Sequence, residues 1–107
     1  MLNNPSDSSN DSAIPFDKCT NDEKSLNTNV TLLLDANANR TYAIFVNNYS
    51  IDITLILGKS SNAVKNKGII IKPRGGSYEI NKHNLYTGKI SAIAASNCKL
   101  SFVECSY

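Results

Sequence analysis

Outside its first 23 residues the chain carries four carboxylates, Asp35, Asp52, Glu79 and Glu104, and a single imidazole, His83. A glycosidase needs two carboxyl groups facing each other across a sugar. These four fall at strand ends or on solvent-facing positions, with no spacing that would pair them, and read as solvated surface groups. His83 lies in the polar run NKHNLYTG. Ser77 and Ser91 lack the G-x-S-x-G turn that would make either a nucleophile, so His83 reads as a surface-loop histidine. Arg74-Gly75-Gly76 lacks both the G-x-x-x-x-G-K-[ST] spacing and a following helix, so it is no phosphate cradle. With one His and no C-x-x-C pair, zinc has no ligand set. The expectation is a protein that is not an enzyme, with no catalytic residue, cofactor or metal site.

The three cysteines, Cys19, Cys98 and Cys105, do not spell out a disulfide framework. Cys98 and Cys105 flank one predicted strand. Seven residues of strand put them roughly 23 Å apart, beyond bridging distance. The expectation is free thiols, with a bond from Cys19 to one of the other two as the alternative. N-x-[ST] matches occur at Asn10, Asn29, Asn39 and Asn48, and a chain this rich in Asn, Ser and Thr produces such matches by chance. The opening MLNNPS has no basic n-region and no apolar h-region. No apolar run approaches the ~20 residues of a membrane span. Synthesis in the cytosol, with no membrane partner, is expected.

The elements that would carry these groups are strands. Ile51, Ile53, Leu55 and Leu57 alternate with Asp52, Thr54, Ile56 and Gly58, a period of two. Residues 42–46 form a β-branched and aromatic run that is apolar on both faces. Asn47-Asn48-Tyr49-Ser50 is turn chemistry, so 42–58 reads as an antiparallel hairpin at the centre of the domain. Further strands are predicted over 30–34, with Val30, Leu32 and Leu34 on one face, and over 68–71, 77–80, 89–95 and 98–105. Tyr78, Ile80, Leu100 and Phe102 point inward, and Leu85 and Tyr86 cover one end of the core. The fold class is all-β: a single antiparallel β-sandwich or jelly-roll-like barrel of about seven to eight short strands.

Residues 1–29 are polar and irregular and read as an extended N-terminal arm, leaving 30–107 as the β-sandwich domain. The arm's one apolar knot, Ile14, Pro15 and Phe16, is the candidate anchor for a partner. Fully extended, such an arm reaches roughly 95 Å. A body of about eighty residues buries only about 60–65% of its unfolded surface, so docking or oligomerisation is a natural remedy.

Charge is unevenly placed. The net charge is +2, too small to argue for nucleic acid. Between Lys59 and Lys99 there are eight basic residues and one acid, Glu79, whereas the first 23 residues carry five acids against Lys18. Lys59, Lys65, Lys67, Lys72 and Arg74 are the candidate basic face for a partner. An acidic arm and a basic body suit arms lying on neighbouring bodies, or a body docked on an acidic surface. A nucleic-acid groove would interleave aromatics with the bases, and only Tyr78 and Tyr86 are near.

The runs TLLLDANANRTYAIFVNNYSIDITLILG, KGIIIKPRGGSYEI, NLYTGKISAIAAS and LSFVE carry a resemblance. They show an N-x-N-R turn (37–40), a strand with an Asn-rich end (42–48), a strand closing in L-G (51–58), K-G-I (67–71), G-G-S-Y-E-I (75–80), N-L-Y-T-G (84–88) and a last strand ending in V-E (100–104). The pattern resembles a family of small virion proteins of tailed bacteriophages and prophages, many from phages of cyanobacteria. It covers residues 30–104 and not the arm, and it consists of scaffold and turn residues. The resemblance implies a compact β-sandwich in the virion, as a capsid decoration (cement) protein on the major capsid protein shell. It implies other virion subunits as partners and a homo-oligomer, with trimers at threefold sites fitting that role. A neck, tail or baseplate subunit is the alternative. A carbohydrate-binding module on a phage fibre is a second alternative, and it would use exposed rings such as Tyr49 or Tyr86.

Overall fold

The structure is a computed structural model that describes residues 18–59 and 63–107. All regular structure among the described residues is β-strand. In chain order the strands are β1 (Lys18–Leu26), β2 (Thr31–Leu34), β3 (Arg40–Asn47), β4 (Ile53–Leu57), β5 (Ile69–Ile71), β6 (Gly76–Ile80), β7 (Ile90–Ala94) and β8 (Cys98–Ser106). They form two antiparallel four-stranded sheets, ordered β1-β8-β3-β6 and β2-β7-β4-β5.

That order has a simple origin. β1 pairs with β8, β2 with β7, β3 with β6 and β4 with β5, as if the whole chain were one long hairpin folded at residues 58–68. Rolling that hairpin brings β8 against β3 and β7 against β4. The result is the jelly-roll form of the β-sandwich, in which rolling leaves only short free edges. Loops 27–30, 48–52, 72–75 and 95–97 gather at one end of the roll. Loops 35–39 and 81–89 lie at the other, where the Asn37 amide bonds Thr87 O and Gly58, at the start of the β4–β5 connection, bonds Lys89 O.

The core lies between the sheets. Phe45, Ile53, Leu55, Ile80, Ile90, Ala92 and Leu100 are fully enclosed there. Phe45 and Phe102 are cross-strand partners with ring centroids 6.0 Å apart. Such a pair contributes about 0.5–1.5 kcal/mol beyond its buried area. Tyr78 and Tyr86 pack on the edge of this core, while Leu85 is exposed.

Three expectations change. The central hairpin of 42–58 does not exist: β3 and β4 lie in different sheets, and residues 48–52 cross between them. Each strand then occupies an inner position in its own sheet, which suits strands that are apolar on both faces. In β2 it is Leu33 that is buried, while Val30 and Leu32 are exposed. A register shift between Leu32 and Leu34 breaks the alternation there. Third, the polar stretch assigned to the arm supplies a strand from Lys18 onward. Eight of the nine residues of β1 are exposed and only Leu26 enters the core, so no hydrophobic period announces it.

The outer faces of the two sheets differ. On the β2-β7-β4-β5 sheet residues 66–68 lie against β4, and the Asn66 amide donates to Thr54 Oγ1 at 3.0 Å. Thr54 and Ile56 are therefore buried although they point away from the core. Gly68, at φ 153°, passes so close to Leu55 O that a side chain would collide with it. On the outer face of the β1-β8-β3-β6 sheet the side chains of Tyr42, Ile44, Val46 and Val103 are half-buried.

Substitutions check the register. Leu33→Asp and Ile53→Asp should each abolish cooperative folding, since each places an unpaired charge in the core. Leu32→Asp should leave the urea midpoint nearly unchanged. The reverse order for Leu32 and Leu33 would show that the bulge in β2 is misplaced.

Candidate partner-binding surfaces

Two buried polar side chains sit at opposite ends of β3 and hold the loops in place. Arg40 is fully enclosed and its guanidinium makes four hydrogen bonds. Nε donates to Glu104 Oε2 at 2.8 Å. Nη1 donates to the carbonyls of Tyr86 (2.9 Å) and Gly88 (3.0 Å), and Nη2 to that of Asp35 (2.8 Å). Four of its five N–H donors are thus satisfied. A register shift between Arg40 and Tyr42 re-aims the strand start toward Glu104. Asn37 Nδ2 donates to the same Glu104 oxygen.

Asn47 does the equivalent work at the short-loop end. Its Nδ2 donates to Ile51 O at 2.7 Å and Ile71 O at 2.9 Å, and its Oδ1 accepts from the Tyr49 amide at 2.9 Å. The Gly75 amide donates to Asn47 O and the Arg74 amide to Tyr49 O. Arg74 and Gly75 both have positive φ, 60° and 104°, which turns the 72–75 loop onto the 48–52 loop.

Cys19 and Cys105 are joined by a disulfide. They are directly opposed partners in the β1–β8 ladder, with Cα atoms 4.0 Å apart. The expectation of three free thiols therefore gives way: Cys98 alone is free, and it is buried in the core. Burial pushes its thiol pKa up, away from the reactive thiolate.

The predicted basic residues Lys59, Lys65, Lys67, Lys72 and Arg74 are all exposed. Lys72 Nζ lies 3.6 Å from Asp52 Oδ2. Lys65 and Asp52 line a shallow depression of about 350 Å³ at the short-loop end, with Ser50 and Pro73. Arg74 sits on the adjoining turn. Lys59 lies at the opposite end, beyond β4, where the Gly58 amide bonds Lys89 O. Lys67 closes a small bridge with Val64 between the two. The anchor residues Ile14, Pro15 and Phe16 lie outside the described residues.

A second depression, of about 320 Å³, lies on the other side of the 48–52 loop, between Asn27, Tyr49, Asn97 and Lys99. Tyr49 is exposed there. Tyr86 is not an open ring: it packs on the core edge and its hydroxyl donates to Lys89 O. Among the described residues no three His, Cys, Asp or Glu side chains are grouped as a metal site would require.

On the outer face of the β1-β8-β3-β6 sheet, Tyr42, Ile44 and Val46 of β3 lie in a row, with Val103 of β8 opposite Ile44. All four are half-buried. Tyr42 donates its hydroxyl to Glu79 Oε2 at 2.6 Å, and this bond, followed by burial and by the Glu79 charge, raises its pKa above the ordinary 10.0. In the sequence Asn47 is legible only as part of a turn, and the Cys19–Cys105 bond only within the alternative to free thiols. Arg40 stands out only as the arginine of the N-x-N-R turn.

Scans against models of known families, curated proteins and solved structures each found no match.

The Tyr42 bond can be followed by titration. Its folded-state value lies above the unfolded one, so its contribution to stability is complete below pH 10 and is lost as pH rises through the raised value. Absorbance at 295 nm should show a late-titrating tyrosine that Tyr42→Phe removes. An unchanged curve in Tyr42→Phe would contradict the bond.

Proposed function

We propose that this chain is a structural component of a bacteriophage virion, a capsid decoration protein that docks on the major capsid protein shell and straps neighbouring subunits with its N-terminal arm. The observation that carries the reading is the root of the arm. β1 is an edge strand whose side chains lie almost wholly outside the core, so a pull from its N-terminal side would peel its ladder one bond at a time. The disulfide sits at its second residue, where such a pull arrives first. The next residue on β8, Glu104, is held by the buried Arg40. Tension in the arm therefore passes into β8 and β3 through a covalent bond and the ion pair of the enclosed Arg40 before it loads the exposed hydrogen bonds. A free tail has no need of such a root, and a strap under load does.

Three further features support the reading. Disulfides persist on particle surfaces outside the reducing cytosol. A rigid roll with short, side-chain-stapled loops suits repeated docking on a regular shell. Many weak contacts per particle, each bridging several shell subunits, add up by multivalency. The resemblance over residues 30–104 points to the same setting.

Gel densitometry of purified particles, this chain against the major capsid protein, tests the proposal. A ratio near one to one, or one to a small integer, is expected. A few copies per particle would move the chain to the neck, tail or baseplate, and absence from particles would end the virion reading. If the root bears load, particles carrying Cys19→Ser with Cys105→Ser should shed the protein at a lower temperature than wild type. Equal retention would remove the strap argument.

A further inference from the structure

The depression beside the 48–52 loop takes no part in the strap or its root. Its floor is Leu26 and Cys98, which are buried cross-strand partners. Its rim is Ser25, Asn27, Asn97 and Lys99, all exposed, with Tyr49 alongside. At about 320 Å³ it stands at the small end of ligand sites, which suits one small ring better than a long chain.

Tyr49 is 41% exposed, yet its position is fixed. Its amide donates to Asn47 Oδ1 at 2.9 Å, and its carbonyl accepts from the Arg74 amide at 2.9 Å. Asn47 is in turn enclosed and bonded to Ile51 O and Ile71 O. The result is an aromatic side chain held open to water on a stapled loop. Asn27 is held in the same way: its carbonyl accepts from the Ala94 amide at 3.0 Å, and its Oδ1 from the Asn29 amide at 2.8 Å. Asn27 Nδ2, the Asn97 carboxamide and the hydroxyls of Ser25 and Tyr49 make no hydrogen bond among the described residues. Loops fixed in advance lower the ordering cost of binding.

The chemistry of that set selects the ligand. A carboxylate or phosphate only accepts hydrogen bonds, and it is drawn to an uncompensated cation. Here the one cation, Lys99, lies 3.7 Å from Glu23 Oε1. A purely apolar ligand would cover the ring and leave the carboxamides unused. A pyranose offers an apolar C–H face to the ring and hydroxyls that both donate and accept, which matches carboxamides and a serine hydroxyl.

We propose that this depression is a binding site for a neutral saccharide, with one pyranose ring stacked on Tyr49 and its hydroxyls bonded by Asn27, Asn97 and Ser25. β1 places the site away from the arm. The chain enters β1 at Lys18, opposite Ser106, whereas the depression lies at Leu26, opposite Cys98. That length of strand sets the two ends roughly 26 Å apart. A body strapped at one end presents the site at the other.

The test is saturation-transfer NMR on the purified full-length chain with the methyl pyranosides of glucose, galactose, mannose and N-acetylglucosamine. At least one should receive magnetisation, most strongly at the C–H protons of one ring face. Tyr49→Ala should weaken that binding by about tenfold or more. Asn97→Asp should weaken it as well, and both variants should keep the wild-type melting temperature. Leu85→Ala, an exposed change at the other end of the roll, should leave binding unchanged. No transfer to any of these pyranosides, transfer undiminished in either site variant, or stronger transfer to acetate or triglycine would overturn the proposal. Particles do not enter the test, so the site and the virion reading stand or fall separately.

Discussion

Burying a guanidinium is costly unless nearly all its donors find acceptors, and the roll is built so that Arg40 finds them. Its fork ties β3 to three segments: residue 35 just before β3, residues 86 and 88 before β7, and Glu104 near the end of β8. No apolar side chain could satisfy three carbonyls and a carboxylate together. The long-loop end of the sandwich is thus closed by bonds from one side chain. The Asn37 amide to Thr87 O and the Gly58 amide to Lys89 O complete the closure with backbone alone. Asn47 repeats the device in neutral form at the other end, where the loops are shorter and a carboxamide reaches far enough.

These two residues explain how so small a body can support an edge strand as polar as β1. The hydrophobic core of Phe45, Leu55, Ile80 and Leu100 stabilises the inner strands but offers β1 only Leu26. What holds β1 is the nine-residue ladder to β8 and the Cys19–Cys105 bond, and β8 is in turn fixed by Glu104 and Arg40. The chain of support runs from the enclosed cation outward to the exposed strand and then to the arm. The functional proposal rests on that direction of support: the part of the molecule with least burial is tied most firmly at one point.

How much of this could be read from residues alone differs from element to element. Ile53, Leu55, Leu57, Leu100 and Phe102 show the period of two that half-buried strands impose, and their inward placement follows from it. β1 has no such period, because its side chains face water on both sides and a backbone ladder leaves no mark on composition. The disulfide was hidden for the same reason, since pairing Cys19 with Cys105 requires knowing that 18–26 lies beside 98–106. The run of leucines in β2 fits either register, and a bulge chose the other one. Asn47-Asn48-Tyr49-Ser50 looks like a hairpin turn, but a short polar turn serves equally to cross between sheets, and only pairing partners distinguish the two. Arg40 was the least legible: an arginine after an asparagine-rich turn reads as surface until the carbonyls that surround it are known.

The most direct test of the account is the stability of Arg40→Lys, measured by urea unfolding against wild type. Lysine keeps the charge and most of the stem but presents three donors from one point, and it cannot serve Glu104 and three separated carbonyls. The account predicts a loss of about 2–4 kcal/mol, because buried acceptors are left unpaired. A variant within about 0.5 kcal/mol of wild type, the scatter of ordinary surface substitutions, would show that charge alone suffices and that the arginine fork does not close the roll.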